Sequence, residues 1–329
     1  MKQKQERVLI TGAAGYIGSV VSAALLNRGL EVVGIDNLTF GARALPGLMA
    51  QPSFEFETLD LNHSSDVAKC LARHRPDHVI HLAAIVGDPA CKAQPELARR
   101  VNLESTKDLF LRCADVKVKR FLFASTCSNY GLSESDSLLS EDSKLNPISL
   151  YAECKVEAEQ WLLAQSAEMP KRFVLRFSTA HGLSPRMRFD LTVNEFAKTL
   201  LEGGSLEVYD ATTWRPYCHV IDFGRVMGEC IANPDLQNAS YVLNVGSDDE
   251  NFRKIDIVDK IVAAMPQASA SVRHVGDGKD RRNYKVSFQR LRDTIGLIPL
   301  YTVDRTIDQI AGALRAGAFE ERKAVYANA

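Results

Sequence analysis

A short apolar strand that runs through a glycine-rich turn directly into a helix constrains this fold more than any other feature. The strand spans residues 8–10, and the turn reads TGAAGYIG over residues 11–18. Gly12 permits a tight turn, Gly15 lets the backbone approach a diphosphate, and Gly18 lets the helix pack closely on the strand. Free N–H groups and the positive dipole end of the helix favour phosphate. The turn therefore predicts a dinucleotide site, with an ordinary glycine-rich strand-to-helix turn as the alternative.

Apolar runs alternate with amphipathic stretches throughout the first half of the chain. Strands that are apolar on both faces must be covered on both sides, so this alternation predicts an α/β fold with a doubly wound parallel sheet. We predict strands at residues 8–10, 31–35, 54–59, 79–82, 120–124 and 173–175, and helices at residues 16–28, 65–73, 95–114 and 150–167.

The second half of the chain is less regular, with loops rich in Gly, Pro and Asp. We expect a dinucleotide-binding domain that carries the catalytic residues over residues 1–177. Residues 178–329 should form mainly a smaller substrate-binding cap, with some segments returning to the first domain. The predicted elements of this half are helices at residues 191–202, 255–265 and 303–314, and strands at residues 206–209 and 241–245.

The composition excludes several classes of function. A formal net charge of -1, without a local Lys/Arg stripe, argues against a nucleic-acid partner. The 7 cysteines are scattered singly, as in reduced thiols, so we expect neither disulfides nor a bound metal. No apolar run approaches the roughly 18 residues that span a membrane, and the N-terminus lacks a signal-peptide pattern. We therefore expect a cytoplasmic protein without a membrane partner.

Asp36 ends the second predicted strand, 18 residues after Gly18. A carboxylate at this position accepts hydrogen bonds from a ribose 2′-hydroxyl and repels a 2′-phosphate, which favours NAD over NADP. The alternative is a turn aspartate at the start of Asp36-Asn37. Asp60, after the third strand, is a weaker candidate for a contact with the adenine, and a cap of the following helix is equally consistent with the sequence.

Tyr151 and Lys155 are separated by four residues on a predicted helix, so both side chains lie on one helix face. A nearby ammonium group favours the phenolate and lowers the tyrosine pKa. Such a tyrosine can take a proton from a sugar hydroxyl while hydride leaves the same carbon. A chance pair on an exposed helix is the alternative. Thr126 follows the strand at residues 120–124, where ligands bind in doubly wound sheets.

Seven segments together resemble the extended short-chain dehydrogenase/reductase family of nucleotide-sugar epimerases and dehydratases. They are TGAAGYIG, His81-Leu82-Ala83-Ala84, Val101-Asn102, Ser125-Thr126-Cys127-Ser128-Asn129-Tyr130-Gly131, Tyr151-Ala152-Glu153-Cys154-Lys155, Arg215-Pro216-Tyr217-Cys218-His219-Val220 and Asp280-Arg281-Arg282. The resemblance covers nearly the whole chain.

The resemblance implies a role for each matching residue. Tyr151 is the expected base, Lys155 anchors the nicotinamide ribose and tunes Tyr151, and Thr126 is the third catalytic hydroxyl. Asn102 is expected near Lys155. The residues expected to contact NAD are Gly12, Ala14, Gly15, Tyr16, Ile17, Gly18, Asp36, Asn37, Asp60, Leu61, Leu82, Ala83, Ala84, Asn102, Tyr151 and Lys155.

Two positions depart from the family's dehydratases. Those enzymes carry Asp-Glu directly after the catalytic threonine, whereas this chain has Cys127 and Ser128. Neither side chain replaces a carboxylic acid/base pair, which argues against dehydration. Cys127 is either a reactive thiol or a buried, inert one. His181 stands where the family often has an aromatic residue, and the sequence leaves open whether it touches the substrate or fills space.

The expected substrate is a nucleoside-diphosphate sugar, whose diphosphate suits the bidentate fork of arginine. Arg215 and Arg282 resemble the family's diphosphate-binding arginines, although surface ion pairs are the alternative. Asn194 resembles its phosphate- or sugar-binding asparagine. Residues 182–190 resemble a branch of C4 epimerases and C4 dehydrogenases, and this segment either covers the sugar or is solvated. The residues expected at the substrate are Thr126, Cys127, Ser128, Asn194, Arg215 and Arg282.

The resemblance implies oxidation at the sugar C4 as the first step. If the keto sugar turns over in the site and hydride returns to its other face, the net reaction is epimerisation. If the keto sugar leaves, the enzyme is a C4 dehydrogenase or ketoreductase. A non-catalytic NAD-sensing protein is the rival from another class. The family further implies a homodimer and fits the synthesis of surface polysaccharide or glycosylated metabolites.

Overall fold

A computed structural model of the protein describes residues 5–133, 137–276, 278 and 282–319. The strands in chain order are β1 (Arg7–Thr11), β2 (Glu31–Asp36), β3 (Phe54–Thr58), β4 (His78–His81), β5 (Arg120–Thr126), β6 (Lys171–Phe177), β7 (Thr179–His181), β8 (Leu206–Tyr209), β9 (Trp214–His219), β10 (Ser240–Val245), β11 (Asn251–Arg253) and β12 (Val272–Val275).

The α-helices in chain order are α1 (Tyr16–Asn27), α2 (Leu45–Met49), α3 (Ser64–His74), α4 (Asp88–Ala93), α5 (Pro95–Arg99), α6 (Ser105–Asp115), α7 (Leu150–Leu163), α8 (Thr192–Leu201), α9 (Val220–Ala232), α10 (Lys254–Ala264), α11 (Gln289–Ile295) and α12 (Val303–Arg315). Within the described ranges, every helix is too short or too polar to cross a membrane.

Seven parallel strands of the described chain form one sheet in the order β10-β6-β5-β4-β1-β2-β3. The chain runs outward from β1 to β3 and then returns to the other side of β1 with β4. The strand order therefore reverses between β1 and β4, and the carboxyl ends of these strands open a crevice for a ligand. The predicted doubly wound α/β fold is confirmed.

The residues of the central strands are apolar throughout because both faces of the sheet are covered. In β1, Val8 and Ile10 join an apolar cluster with α1 and α9. Leu9, between them, points to the opposite face and joins a cluster with α3 and α6. Alternate residues of one strand thus enter two different cores, which removes the polar alternation of a half-exposed strand.

The second half of the chain contributes to the large sheet as well as to smaller ones. β10 pairs with β6 from Ser240–Arg172 to Val245–Phe177. α9 packs against α1 so closely that a Cβ on Gly224 would lie 3.1 Å from the Cβ of Ala24. The smaller sheets are β11-β9-β7 and β12-β8.

Several elements were not predicted from the sequence, namely β7, β9, β11, β12, α2, α4, α9 and α11, and one predicted helix is interrupted. The single helix predicted at residues 95–114 is α5 and α6 joined by a π-helical turn over Arg100–Glu104. The hydrophobic periodicity of the sequence does not reveal the extra residue that a π-turn inserts into a helix. Such turns often lie at functional sites. β9 and α9 were not predicted, because the strand runs into the helix at Val220 without a glycine or proline to mark the boundary.

A buried ion pair joins α7 to β6 beneath the carboxyl end of β5. Glu159 accepts a hydrogen bond from Nη2 of Arg176 at 2.8 Å, and the two side chains are 1% and 6% exposed. Asn129 donates to Glu159 at 2.8 Å, and the Ser125 hydroxyl donates to the same carboxylate. Burial opposes the charge on Arg176, but the neighbouring carboxylate outweighs it and raises the pKa of the guanidinium. The pair is fully hydrogen-bonded on the carboxylate side.

We expect Glu159→Gln to lower the free energy of unfolding by about 3–5 kcal/mol, because it leaves a buried guanidinium without its counter-charge. Glu207→Gln is the matched control, since Glu207 and Arg273 form an exposed pair at 3.4 Å and its loss should cost less than about 1 kcal/mol. Urea denaturation at neutral pH measures both. Equal losses in the two variants would contradict this prediction.

Candidate active site

The glycine-rich turn between β1 and α1 is closed to side chains at two positions. Gly12 has φ +73°, and a Cβ there would lie 2.9 Å from the backbone nitrogen of Ala83. A Cβ on Gly18 would lie 2.0 Å from the carbonyl oxygen of Gly12. Gly15 is the residue that precedes the first turn of α1. The backbone therefore forms the cradle at the helix N-terminus that a diphosphate requires.

A hydrogen-bonded chain fixes the end of β4 beside this turn. The Thr11 hydroxyl accepts from the backbone nitrogens of Leu82 and Ala83 at 3.1 and 3.0 Å, and it lies 2.8 Å from His81 Nδ1. His81 Nε2 lies 2.9 Å from the Thr106 hydroxyl, which itself donates to the carbonyl of Asn102. Burial lowers the pKa of His81 to about 3, so the ring is neutral.

Only one arrangement of protons satisfies this chain. The Thr106 hydroxyl has already used its proton on Asn102, so His81 Nε2 donates to it. A neutral ring then accepts at Nδ1, and the Thr11 hydroxyl donates there. The carboxyl ends of β1 and β4 are thereby locked together where the strand order reverses.

Asp36 ends β2 beside the glycine turn. Its Oδ2 accepts from the backbone nitrogen of Ala14 at 3.1 Å, and its Oδ1 accepts from that of Leu38 at 2.8 Å. Burial raises the pKa of Asp36, and the two N–H donors act in the opposite direction. Each carboxylate oxygen keeps a further acceptor site, which is the chemistry a ribose diol needs.

Asp60 lies next to Asp36 in the loop that follows β3. It accepts from the side chain of Asn37 at 3.2 Å and from the backbone nitrogen of Asn62 at 2.8 Å. α3 begins only after His63, so Asp60 closes a turn and does not cap the helix. Leu61 is buried behind this turn.

Asn102 was expected near Lys155, and its amide group holds a loop. Its Oδ1 accepts from the backbone nitrogen of Ile85 at 2.8 Å, and its Nδ2 donates to the Ile85 carbonyl at 2.9 Å. The π-turn that carries Asn102 packs against α7. Asn102 therefore fixes the segment that follows Ala83 and Ala84 against the helix of Tyr151 and Lys155.

α7 carries Tyr151 and Lys155 on the face that packs against β5. Ser149 caps this helix through the backbone nitrogen of Ala152. Lys155 is 1% exposed. Its Nζ lies 4.5 Å from the centre of the Phe123 ring and 5.9 Å from that of Tyr151.

Burial controls the protonation of both groups. It raises the pKa of the Tyr151 phenol well above its usual range, with a further rise from Cys91, while Arg188 and Arg282 act in the opposite direction. Burial lowers the pKa of Lys155 to about 8. Arg188 and Arg282 favour the phenolate, and Lys155 is still largely protonated at neutral pH.

Thr126, Cys127 and Ser128 have three different roles at the end of β5. The Thr126 hydroxyl accepts from the backbone nitrogen of Ser128 at 3.0 Å, which leaves its proton to donate. The Cys127 thiol donates to the Arg176 carbonyl at 3.2 Å, and burial raises its pKa, so it is the inert thiol of the two alternatives. The Ser128 hydroxyl accepts from Arg282 at 3.2 Å.

Arg215 and Arg282 come together beside Ser128. Arg282 also lies 3.8 Å from the carboxylate of Asp88. Arg215 donates to the Trp214 carbonyl at 2.7 Å and to the Arg282 carbonyl, and its guanidinium lies 5.3 Å from the centre of the Tyr284 ring. Asp280 and Arg281 of the sequence motif lie outside the described residues.

Asn194 was predicted at the phosphate or sugar, and this role stays a prediction, although the amide binds protein groups in this structure. It is fully buried, accepts from the backbone nitrogen of Gly182 at 3.0 Å, and donates to the Tyr16 hydroxyl at 3.0 Å and to the Arg188 carbonyl at 2.9 Å. Both amide groups bind the protein, so Asn194 shapes residues 182–188.

Tyr16 and Ile17, expected at the cofactor, begin α1. Tyr16 is buried, and its hydroxyl donates to the Gly182 carbonyl at 2.7 Å. Ile17 packs beside the core cluster of α1. Any contact of Tyr16 with a dinucleotide therefore involves its backbone.

His181 is a core residue. Its Nδ1 lies 2.7 Å from the Thr306 hydroxyl, and its ring meets that of His219 edge-on at 5.4 Å. Burial lowers the pKa of His181, so the ring is neutral. The structure therefore favours the space-filling alternative.

Glu57, Cys70 and His74 place three potential metal ligands within 4.8 Å of one another. Glu57 is already paired with His74 at 2.6 Å and with Arg73 at 2.5 Å, and burial raises the pKa of the Cys70 thiol to about 12. A neutral thiol beside an ion-paired carboxylate is a poor cation ligand set, so the cluster acts as a link between β3 and α3.

The model of the NAD dependent epimerase/dehydratase family matches residues 8–246, which include the glycine turn, Asp36, Tyr151, Lys155 and Arg215. The chain belongs to the NAD-dependent epimerase/dehydratase family. It is an NAD-dependent enzyme of the extended short-chain dehydrogenase/reductase type, as its motifs implied, and the glycine cradle and Asp36 suit that cofactor.

The relatives of this chain include both epimerases and dehydratases. A UDP-glucose 4-epimerase from Azospirillum brasilense is 27% identical, over 96% of this chain and 92% of the relative. A dTDP-glucose 4,6-dehydratase from Neisseria gonorrhoeae is 28% identical, over 91% and 93%. The solved structure of a UDP-glucose 4-epimerase from Thermus thermophilus with NAD is 27% identical and has a TM-score of 0.80, over 93% of this chain and 99% of that one. The relatives do not distinguish epimerisation from dehydration.

Sequence reasoning missed the residues that hold the site together. Glu159 and Arg176 were not singled out, although a charged residue directly after the apolar run at residues 173–175 was a usable signal. Asp88 was also missed. Its link to Arg282 joins residues far apart in the sequence, and no local pattern indicates it.

We expect Asp36→Ala to weaken NAD binding about 10- to 100-fold, because hydrogen bonds to a charged acceptor are lost. NADP binding should weaken less or improve, since the variant no longer repels a 2′-phosphate. Titration calorimetry of both cofactors measures this, with Asp259→Ala on the exposed side of α10 as control. An unchanged ratio of the two affinities would show that Asp36 does not select the cofactor.

Proposed function

We propose that the protein catalyses NAD-dependent hydride transfer at C4 of a nucleoside-diphosphate sugar, with epimerisation as the net result. One observation carries this proposal. α7 presents Tyr151 and Lys155 toward the end of β5, where Thr126 has a proton to donate, and the next two residues supply no acid/base pair. The site has the groups for oxidation and reduction of a carbon, whereas Cys127 and Ser128, among the described residues, do not supply the carboxylic acid/base pair used for removal of water.

The proposed mechanism assigns one task to each residue. Tyr151 takes the proton of the C4 hydroxyl and returns it after the sugar has turned. Thr126 donates a hydrogen bond to the reacting oxygen, because its acceptor side is already occupied by the backbone of Ser128. NAD, when bound, would supply the hydride acceptor and donor, and the positive charge of its oxidised ring would favour the phenolate of Tyr151. Lys155, which a pKa of about 8 leaves largely protonated at neutral pH, anchors the ribose and adds to that charge.

Arg215 and Arg282 are proposed to bind the diphosphate. Arg215 is held by two backbone carbonyls and the Tyr284 ring, so its position is fixed. Arg282 contacts Ser128 and is close to Asp88, which keeps its charge within range of Tyr151. A diphosphate bound here would place the attached sugar between the arginines and the phenol. The solved relatives with UDP-glucose support a uridine nucleotide as the first choice.

Cys127 and Ser128 argue against a 4,6-dehydratase. In the dehydratases that this chain resembles, Asp-Glu stands at the matching positions and moves the proton and the leaving hydroxyl. Here the thiol is buried with a raised pKa and bound to the Arg176 carbonyl. The serine hydroxyl is bound by Arg282. Neither group replaces a carboxylic acid/base pair, so we expect a 4-keto sugar formed here to keep its C6 hydroxyl.

We expect the enzyme loaded with NAD to interconvert the two C4 epimers of a UDP-hexose without net formation of NADH. Tyr151→Phe should lower turnover by about 10²- to 10⁴-fold, because the proton acceptor is lost, while NAD remains bound. Tyr209→Phe is the matched control, since Tyr209 is exposed and contacts Glu207 at 2.9 Å. Chromatography of the sugar nucleotides and absorbance at the NADH band measure both.

Each alternative product would identify a different reaction. A 4-keto-6-deoxy sugar would establish dehydration. Net accumulation of NADH with a free keto sugar would establish the C4 dehydrogenase. Full turnover in Tyr151→Phe would refute the assignment of Tyr151 as the base. Comparison of UDP-, dTDP-, GDP- and CDP-hexoses as substrates tests which nucleotide the enzyme prefers.

We also propose a homodimer through α6 and α7. Leu111 on α6 is 45% exposed, and Trp161 on α7 is partly buried against the core of α6. Light scattering should give twice the mass of one chain, and Leu111→Asp should shift the protein toward the monomer, because burying a charge in an apolar interface is unfavourable. A monomeric wild-type protein would contradict the proposal.

A further inference from the structure

Residues 182–190 are attached to the first turn of α1, the helix whose N-terminus forms the phosphate cradle. The Ser184 hydroxyl donates to the carbonyl of Tyr16 at 2.7 Å and lies 3.2 Å from the hydroxyl of Ser19. The Tyr16 hydroxyl donates to the Gly182 carbonyl at 2.7 Å. This segment of the second half is therefore held against the cofactor side of the first half.

Arg186 extends this contact to the loop that follows β2. It is 4% exposed, and its guanidinium lies over the Phe40 ring, 4.6 Å from the ring centre. Its charge also acts on the carboxylate of Asp36 and favours the ionised form. Phe40 is 49% exposed, so the arginine covers one face of the ring. Arg186 thus reaches toward the ribose end of the dinucleotide site, and its side chain is shielded from solvent.

Arg188 places the other end of the segment near the catalytic tyrosine. It is paired with Asp190 at 3.0 Å, and its charge is felt by the Tyr151 phenol. Met187, between the two arginines, is 2% exposed and belongs to the main core. An apolar anchor thus separates two arginines that serve opposite ends of the site.

We propose that residues 182–190 form a strap across the dinucleotide site, and that Arg186 is a positioning residue which holds the strap closed through Phe40. NAD enters and leaves only when this contact opens. The inference goes beyond the proposed reaction, because it concerns cofactor exchange and needs only NAD binding. It assigns a role in cofactor binding to a residue outside the glycine turn and the predicted first domain.

Rapid-mixing measurement of NAD release tests the strap. The protein is loaded with NAD, freed of excess nucleotide, and mixed with a coupled NAD-consuming dehydrogenase that traps what is released. Arg186→Ala should release NAD about 5- to 20-fold faster, from the loss of a cation–π contact and its neighbouring charge. Phe40→Ala should do the same, and Arg186→Lys should fall between. Arg28→Ala is the matched control, because Arg28 bridges α1 and α9 through Glu229 at 2.8 Å, away from Asp36.

A second rate separates the strap from a simple contact. If Arg186 gates the site, Arg186→Ala accelerates NAD association as well as release, so that affinity changes less than either rate. Unchanged release in Arg186→Ala and Phe40→Ala would overturn the proposal. Faster release with an unchanged association rate would contradict the strap and indicate that Arg186 only contacts bound NAD directly. Faster release accompanied by a lower melting temperature of the NAD-free protein, beyond that of Arg28→Ala, would show a merely structural role.

Discussion

The buried ion pair between Glu159 and Arg176 is the interaction on which the catalytic arrangement depends. Glu159 stands one helical turn after Lys155 on α7, and Arg176 lies on β6 next to the last residues of β5. The same carboxylate binds Ser125 and Asn129, which flank Thr126. One buried charge therefore sets the distance between the helix of the proposed base and the strand end of the proposed hydrogen-bond donor. Such a network is costly to bury and fixes a unique geometry when every group is satisfied.

The fold was predictable because its signals are local. The glycine turn, the apolar strands and the Tyr151-Lys155 spacing each lie within a few residues, and the strand order then brings their ends together. Gly18 is the clearest case. A Cβ at this position would overlap the backbone of Gly12, so the position requires a glycine, and the sequence motif shows this directly.

The parts that could not be predicted depend on contacts between distant residues. Asn194 matches a family position, but its amide is consumed by Gly182, Tyr16 and Arg188, which no spacing rule connects. His181 looks available in sequence, yet β7 directs it into the core against Thr306. The pKa of Tyr151 likewise depends on burial and on Arg188 and Arg282, which the four-residue spacing to Lys155 does not reveal.

The position of β10 has a consequence for how the chain folds during synthesis. β6 is complete once residue 177 has been made, but its partner at the sheet edge is residues 240–245. Until then β6 presents an open edge, which is a template for pairing with another chain. Lys171, Arg172 and Arg176 place three positive charges on that strand, and such charges discourage aggregation between nascent chains. Arg176, whose ion pair helps to position the finished site, is therefore also one of the charges expected to keep the unfinished sheet from pairing with other chains.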